Sequence, residues 1–350
     1  MNIIKPHLLA MSAYQPPLEK RDARKDLLLD FNERTIPISD TIVEALQTFI
    51  SQGRLQQYPA YGGIVGRLAE YAGVSSNKLM ITNGSDQGID LIFRAVAKAN
   101  AEAIIPGPAF AIYRQCAKVE RMALIEPLYT RENGYPLAEV LQAIGENTAI
   151  VVISNPNNPS GTSVANDDIK TIAKAAPNAA ILVDECYYEY SQNTCVELLT
   201  TCQNLFITRT FSKTWGIPSL RFGYLMAAAE NIKALLNVRG PYDINQLAVV
   251  AANAALDNPD YTREYVKEVM QVSKPLLEQW LSQKNISFWP SQANYLWTFP
   301  ENAEAIADHL AAEGILVRPK AYEQTLGLRI TVGTQVQMQR LLEVWEKFTG

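Results

Sequence analysis

Short, unbroken apolar runs alternate with longer amphipathic stretches through the middle of the chain. Leu79–Thr82, Ala103–Ile105, Ala149–Ile153, Ala180–Val183, Leu205–Thr208 and Phe222–Met226 carry almost no polar alternation. Strands of that kind are covered on both faces, as in parallel sheets built from βαβ units. The spacing therefore predicts a large α/β domain over 41–245. Near its start, Ser39 or Asp40 can cap a helix over TIVEALQTFI, with Ile42, Val43, Leu46, Phe49 and Ile50 on one face. Residues 1–40 are rich in proline and charge and read as an arm that packs with a second, smaller domain.

After PYDINQLA the texture changes. A long helical stretch from Asp260 to Lys284 contains Pro275, which should kink or split it. Strand-like pieces ISFWP, ANYLWTF, ILVRP and LRITV follow, with helices at Glu301–Glu313 and Val336–Phe348. This mixture predicts a small α+β domain over 246–350.

Composition narrows the chemistry. The 350 residues include 36 acidic and 31 basic side chains, a net charge of −5. That balance argues against a nucleic-acid surface, which needs a basic stripe. The two histidines, His7 and His309, stand at opposite ends, and the four cysteines form no CxxC pair. A zinc site and a Ser-His-Asp triad both need imidazole near a second reactive group, so neither is expected. The start lacks a secretory pattern, and no apolar run approaches the roughly 20 residues that span a bilayer. The expectation is a cytoplasmic protein with reduced thiols and no membrane partner.

Four segments carry candidate chemistry. In TRTFSKTWGIPSLRFGY, Lys213 follows Ser212 just after a predicted strand, and Arg221 lies eight positions on. A lone lysine of this kind is most often a solvated surface residue. In ILVDECYYEY, Asp184 ends an apolar strand, where a buried carboxylate is costly unless it meets a cation. The bland alternative is an aspartate that caps the next element. ISNPNNPSGT, with two prolines and three asparagines, is a stiff polar loop after a strand. In TNGSDQGIDLIF, Gly84-Ser85-Asp86 opens an amphipathic helix whose free amides suit phosphate. Together the four supply what pyridoxal 5'-phosphate requires: a lysine, a carboxylate for the ring nitrogen, donors to the ring oxygen and an anion cradle.

The sequence resembles the fold-type-I pyridoxal-phosphate aminotransferases, and most of all the histidinol-phosphate aminotransferase family. QQYP, SNPNNPSGT, VDECYYEY, TFSKTWGIPSLRFGY and LRITVGT stand in the family's order, from about Tyr14 to Thr334. The resemblance implies a large domain with a mostly parallel seven-stranded sheet flanked by helices, plus a smaller α+β domain. It makes Lys213 the Schiff-base lysine and proton shuttle, and Asp184 the partner of the ring nitrogen. Tyr187 and Asn158 would donate to the ring's phenolic oxygen. Phe110 takes the place of a stacking tyrosine. Ser85, Asp86, Ser212 and Arg221 would hold the cofactor phosphate. Tyr58 would reach the phosphate in a partner subunit, which implies a homodimer with shared active sites. Tyr14, Asn32, Asn294, Arg318 and Arg329 are implied for substrate, Arg329 gripping its anionic group. Arg318 reads equally well as a surface arginine at a strand end.

Departures from the family pattern bear on substrate. DFNERT keeps Asn32 and Glu33 but loses the Asn-Pro that usually follows, Gln87 replaces an acid, and Thr214-Trp215 replace small residues after the lysine. The resemblance implies transfer of the amino group of histidinol phosphate to 2-oxoglutarate, giving imidazole-acetol phosphate and glutamate. Aromatic amino acids are the alternative donors. A lyase resembling threonine-phosphate decarboxylases and a ligand-sensing module are further readings, the last disfavoured by the acidic charge and short lead.

Overall fold

The computed structural model describes residues 3–349, apart from 14, 16, 17, 19 and 20. Seven strands build the large sheet: β2 (Leu79–Asn83), β3 (Glu102–Ile104), β4 (Ala123–Ile125), β5 (Thr148–Ser154), β6 (Ala180–Asp184), β7 (Leu205–Thr210) and β8 (Phe222–Ala227), after a short β1 (Leu27–Leu28) in the arm. Their order is β2-β8-β7-β6-β5-β3-β4. Strand β8 is antiparallel to both neighbours, and the remaining pairs are parallel. Every residue of β5, β6, β7 and β8 is buried, as the unbroken apolar runs require. Strand β4 has no counterpart among the six predicted runs. It is three residues long, lies at the sheet edge and is only partly buried, so it carries no hydrophobic signal of its own.

The second sheet holds β9 (Ser287–Trp289), β10 (Tyr295–Phe299), β12 (Arg318–Tyr322) and β13 (Thr325–Thr331) in the antiparallel order β12-β13-β10-β9. The arm joins this part of the molecule: β1 pairs in parallel with β11 (Ile315–Leu316), and Leu27 and Leu29 enter its core beside Leu328 and Ile330. The long helical stretch stays helical through Pro275 but changes its hydrogen-bond pattern just before it. Helices Asp260–Glu268 and Lys274–Gln283 are joined through a π-helical turn at Val269–Ser273. A proline ring clashes with the carbonyl four residues earlier, here within that widened turn.

One expectation for the first long helix, Asp40–Ser51, fails, and its apolar face is only partly covered. Ser39 makes no side-chain cap, and its hydroxyl is buried without a partner. Ile42 and Phe49 are buried and Leu46 partly so, but Val43 and Ile50 stay exposed. Helix Gln246–Asp257 packs against this helix and adds Ala248, Val249, Ala252 and Ala255 to the core of the large sheet. That core therefore continues past residue 245, because a helix studded with alanine can approach its neighbour closely.

Candidate active site

The site forms at the carboxyl ends of parallel strands, where open α/β sheets bind ligands. Register alone brings Ser154 beside Asp184 and Asp184 beside Thr208, on β5, β6 and β7. Asp184 is buried, and its carboxylate accepts from Thr208 Oγ1 at 2.9 Å, Cys186 Sγ at 2.8 Å and Tyr113 Oη at 2.5 Å. Burial raises the carboxyl pKa, and the three donors oppose that rise. None of the ion pairs among the described residues includes Asp184.

Lys213 lies in the turn after β7, where Phe211 stacks on Trp215 at 4.8 Å between ring centroids. Its Nζ donates to the carbonyl oxygen of Phe31 at 2.8 Å. Burial, and then the positive charge of Arg329, push its pKa down to about 8. The amine thus loses its proton far more easily than an exposed lysine.

The anion cradle comes from helix Gly84–Val96, whose first turn carries Ser85 and Asp86. Arg221 donates to Asp86 Oδ2 at 2.8 Å and to Ser212 Oγ at 3.4 Å. Two glycines allow this approach. A Cβ on Gly84 would stand 2.5 Å from Arg221 Nη2, and one on Gly223 would stand 2.8 Å from the backbone of Gly84 and Ser85. Arg221 itself has a φ of 56°, in the left-handed region that non-glycine residues seldom occupy.

Lys213, Asp184, Tyr187, Asn158, Phe110, Ser85, Asp86, Ser212 and Arg221 all line one cavity of about 120 Å³. Sequence reasoning missed Tyr113, Ser154, Cys186 and Thr210, which line it too, and Thr208 behind Asp184. Ser154 and Thr208 were traceable in principle, as polar residues ending strands beside Asp184. Tyr113 sits three residues beyond Phe110 in its own helix, and no local pattern marks it.

Beside the cavity, Asn32 Nδ2 donates to Tyr187 Oη at 2.9 Å, and Asn294 Nδ2 donates to the Asn32 carbonyl at 3.2 Å. Arg329 is buried and donates to Asn158 Oδ1 at 2.5 Å and the Asp30 carbonyl at 2.6 Å. Its Nε has no partner. Burial lowers its pKa. Arg318 lies opposite Arg329 in the register of β12 and β13, and its guanidinium covers the Phe31 ring at 5.3 Å. Tyr58 lies away from the cavity, 78% exposed and stacked on Tyr242. Tyr14 lies outside the described residues.

The residues fit pyridoxal 5'-phosphate. Among the described residues a buried carboxylate lacks a cation and a buried amine lacks an anion, and an arginine with two hydroxyls flanks a helix start. Asn158 spends its carbonyl on Arg329, which leaves amide N–H groups as its donors. Tyr187 accepts from Asn32 and keeps its own proton to donate. Among the described residues no cluster of potential ligands suits a metal ion, and no helix is long and apolar enough to cross a membrane.

Comparison with known proteins gives the family. Residues 24–344 match the family model described as aminotransferase class I and II. The histidinol-phosphate aminotransferase of Geobacillus thermodenitrificans is 32% identical, covering 97% of this chain and 96% of that protein. A dihydroxyacetone phosphate transaminase of Campylobacter jejuni is 31% identical, covering 92% of this chain and 90% of that one. The structure of a histidinol-phosphate aminotransferase from Sinorhizobium meliloti, in complex with pyridoxal-5'-phosphate, superposes with a TM-score of 0.88. It covers 100% of this chain and 99% of its own at 23% identity.

Fold and site together define a fold-type-I enzyme of amino-group transfer. The chain belongs to the class I and II aminotransferases, and its cofactor is pyridoxal 5'-phosphate.

Proposed function

We propose that this enzyme transfers the amino group of histidinol phosphate to 2-oxoglutarate. The observation that carries the substrate class is Arg329, a buried guanidinium beside the cavity that, among the described residues, has no carboxylate partner and keeps an unpartnered Nε. A buried cation of this kind calls for an anionic ligand. Full-length relatives named for histidinol phosphate support the choice among anionic amines. A second reading rests on the relative named for dihydroxyacetone phosphate, which also bears a phosphate.

When bound, the cofactor supplies an aldehyde that takes up the amine and a ring that accepts electrons as the Cα–H bond breaks. Lys213 holds the cofactor and moves the proton. An amine with a pKa of about 8 is close enough to neutral pH to accept and return it. Asp184, oriented by Thr208, Cys186 and Tyr113, pairs with the ring nitrogen. Tyr187 and Asn158 donate to the ring oxygen, and Phe110 covers one face. Ser85, Asp86, Ser212 and Arg221 anchor the phosphate, Asp86 by fixing the arginine. Arg329 receives the substrate's anionic end, with Asn32, Asn294 and Arg318 as further substrate contacts; Tyr14, the remaining candidate, lies outside the described residues.

The same reading makes the enzyme a cytoplasmic homodimer in which Tyr58 serves the partner's cofactor. The exposed, stacked pair Tyr58 and Tyr242 supports a covered surface there. The chain divides in this reading into an arm (1–40), a large cofactor domain (41–245), on whose core helix Gln246–Asp257 also packs, and a small domain made by the rest of 246–350. Steady-state assays with histidinol phosphate, phenylalanine and threonine phosphate as donors to 2-oxoglutarate, and with dihydroxyacetone phosphate as acceptor from glutamate, test the substrate. A kcat/KM highest for an unphosphorylated aromatic amine would overturn it.

A further inference from the structure

Glu189 is a buried acid that the proposed chemistry leaves unused. It lies in the short helix Tyr188–Ser191, two residues beyond Tyr187, and is 8% exposed. Its Oε1 accepts from the indole Nε1 of Trp215 at 2.9 Å and the hydroxyl of Tyr71 at 3.2 Å. Its Oε2 accepts from Thr214 Oγ1 at 3.3 Å. The neighbouring cation, Arg209, is ion-paired with Glu185 at 2.8 Å and lies over the Tyr188 ring. Glu189 is thus satisfied by three neutral donors, two of which belong to the residues that immediately follow Lys213.

We infer that Glu189 is a positioning residue for Lys213, bracing the turn that carries the lysine against the segment that carries Asp184 and Tyr187. This rests on the reading of Lys213 as the cofactor lysine. The backbone of the turn is held from elsewhere: Arg34 donates to the Thr214 carbonyl at 3.2 Å and Tyr261 to the Trp215 carbonyl at 2.8 Å. Both of those partners lie outside the segment 184–189. Within the network around Glu189, its carboxylate joins that segment to the side chains of Thr214 and Trp215. Pairing of Asp184 with Thr208 sets the coarse offset of the lysine from Asp184 and Tyr187, and without the carboxylate the turn beyond it loses the side-chain tie that fixes that offset finely. A displacement of about an ångström at a reacting group costs roughly a hundredfold in rate.

The test compares Glu189→Ala and Glu189→Gln with the parent, in two readouts. The first is kcat of the cofactor-loaded enzyme. The second is the pH midpoint for covalent capture of pyridoxal phosphate by cofactor-free enzyme, fixed with borohydride. Capture needs neutral Lys213, and the groups acting on that amine, Arg329, Glu33, Asp86 and the Cys186 thiol, are common to all variants. Glu189→Ala should lower kcat about ten- to a hundredfold. It should also raise the midpoint above about 8, because a loosened amine is better hydrated. Glu189→Gln should restore both, its carbonyl facing Trp215 and Tyr71 and its amide donating to the Thr214 hydroxyl. A Glu189→Ala enzyme that loses thermal stability but keeps the parent kcat and midpoint would overturn the inference. So would a Glu189→Gln enzyme as impaired as Glu189→Ala. If Glu189→Ala is insoluble, Trp215→Phe carries the test: it keeps the ring and removes one donor, and parent-like values in both readouts would again count against the brace. Covalent capture by Lys213→Ala would instead defeat the reading on which the inference stands.

Discussion

Phe31 and Lys213 meet across 182 positions of sequence, the lysine Nζ donating to the Phe31 carbonyl at 2.8 Å. The arm therefore touches the reactive amine directly, and it does so with an uncharged acceptor. The carbonyl replaces only part of the water lost around the ammonium and brings no negative charge, so burial, and then Arg329, depress its pKa.

A pH dependence follows from that depression. Covalent capture of the cofactor should rise with pH through about 8, where neutral amine appears, not near the ordinary lysine value of 10.5. Replacing Arg329 by Gln removes a positive charge and should move the midpoint upward. Stability changes in the same direction. Between about 8 and 10.5 the unfolded chain holds a proton at this lysine that the cofactor-free fold has released. Stability from this group is therefore lost as pH falls through the folded value and regained toward 10.5. Denaturant titrations across that window should show a smaller rise for Lys213→Met than for the parent.

Asp184 depends on three donors, and their loss should be graded. Asp184→Ala is expected to keep some cofactor but lose most turnover. Thr208→Val removes one donor of three, about 1 kcal/mol, and should lower kcat several-fold with KM little changed. Stopped-flow measurement of the first half-reaction checks both, and a normal rate in Asp184→Ala would remove its assigned role.

Arg221 joins the helix start to Ser212 and holds a left-handed backbone to do so. Arg221→Ala should raise the dissociation constant of the cofactor by about ten- to a hundredfold, as expected for one charge-assisted contact of about 1.5–3 kcal/mol. Equilibrium dialysis of the cofactor measures it. The effect on KM for the amine should be small by comparison.

Arg329 and Arg318 face each other across two strands but differ in burial, and they should differ in effect. Arg329→Ala is expected to raise KM for a phosphorylated amine about a hundredfold. An unchanged KM would move the anionic contact to Arg318.

Tyr58 is exposed in a single chain, so its predicted role requires a second copy. Sedimentation equilibrium should give twice the chain mass, and Tyr58→Phe should weaken cofactor retention modestly. A strictly monomeric active enzyme would end the shared-site proposal.

Much of this was legible in the sequence because the relevant signals are local. Buried strands announce themselves as unbroken apolar runs, and Ser212-Lys213 and Gly84-Ser85-Asp86 sit directly at strand ends. Six of the seven strands of the large sheet follow from that pattern, whereas β4 is too short and too exposed to produce it. The surroundings of Asp184 were harder to read. Tyr113 reaches it from 71 positions away and Thr208 from 24, both set by how the sheet stacks its strands and helices. The Asp40–Ser51 helix shows the opposite failure. Its apolar pattern is wider than the face that this chain alone covers, and the unpaired hydroxyl of Ser39 shows that a capping residue type does not ensure a cap.

The most direct measurement is a half-reaction spectrum of cofactor-loaded enzyme mixed with histidinol phosphate and no oxo-acid. The account predicts rapid loss of the lysine-linked cofactor absorption and appearance of the amine form of the cofactor, reversed by adding 2-oxoglutarate. Absence of that change, or faster change with an unphosphorylated aromatic amino acid, would contradict it.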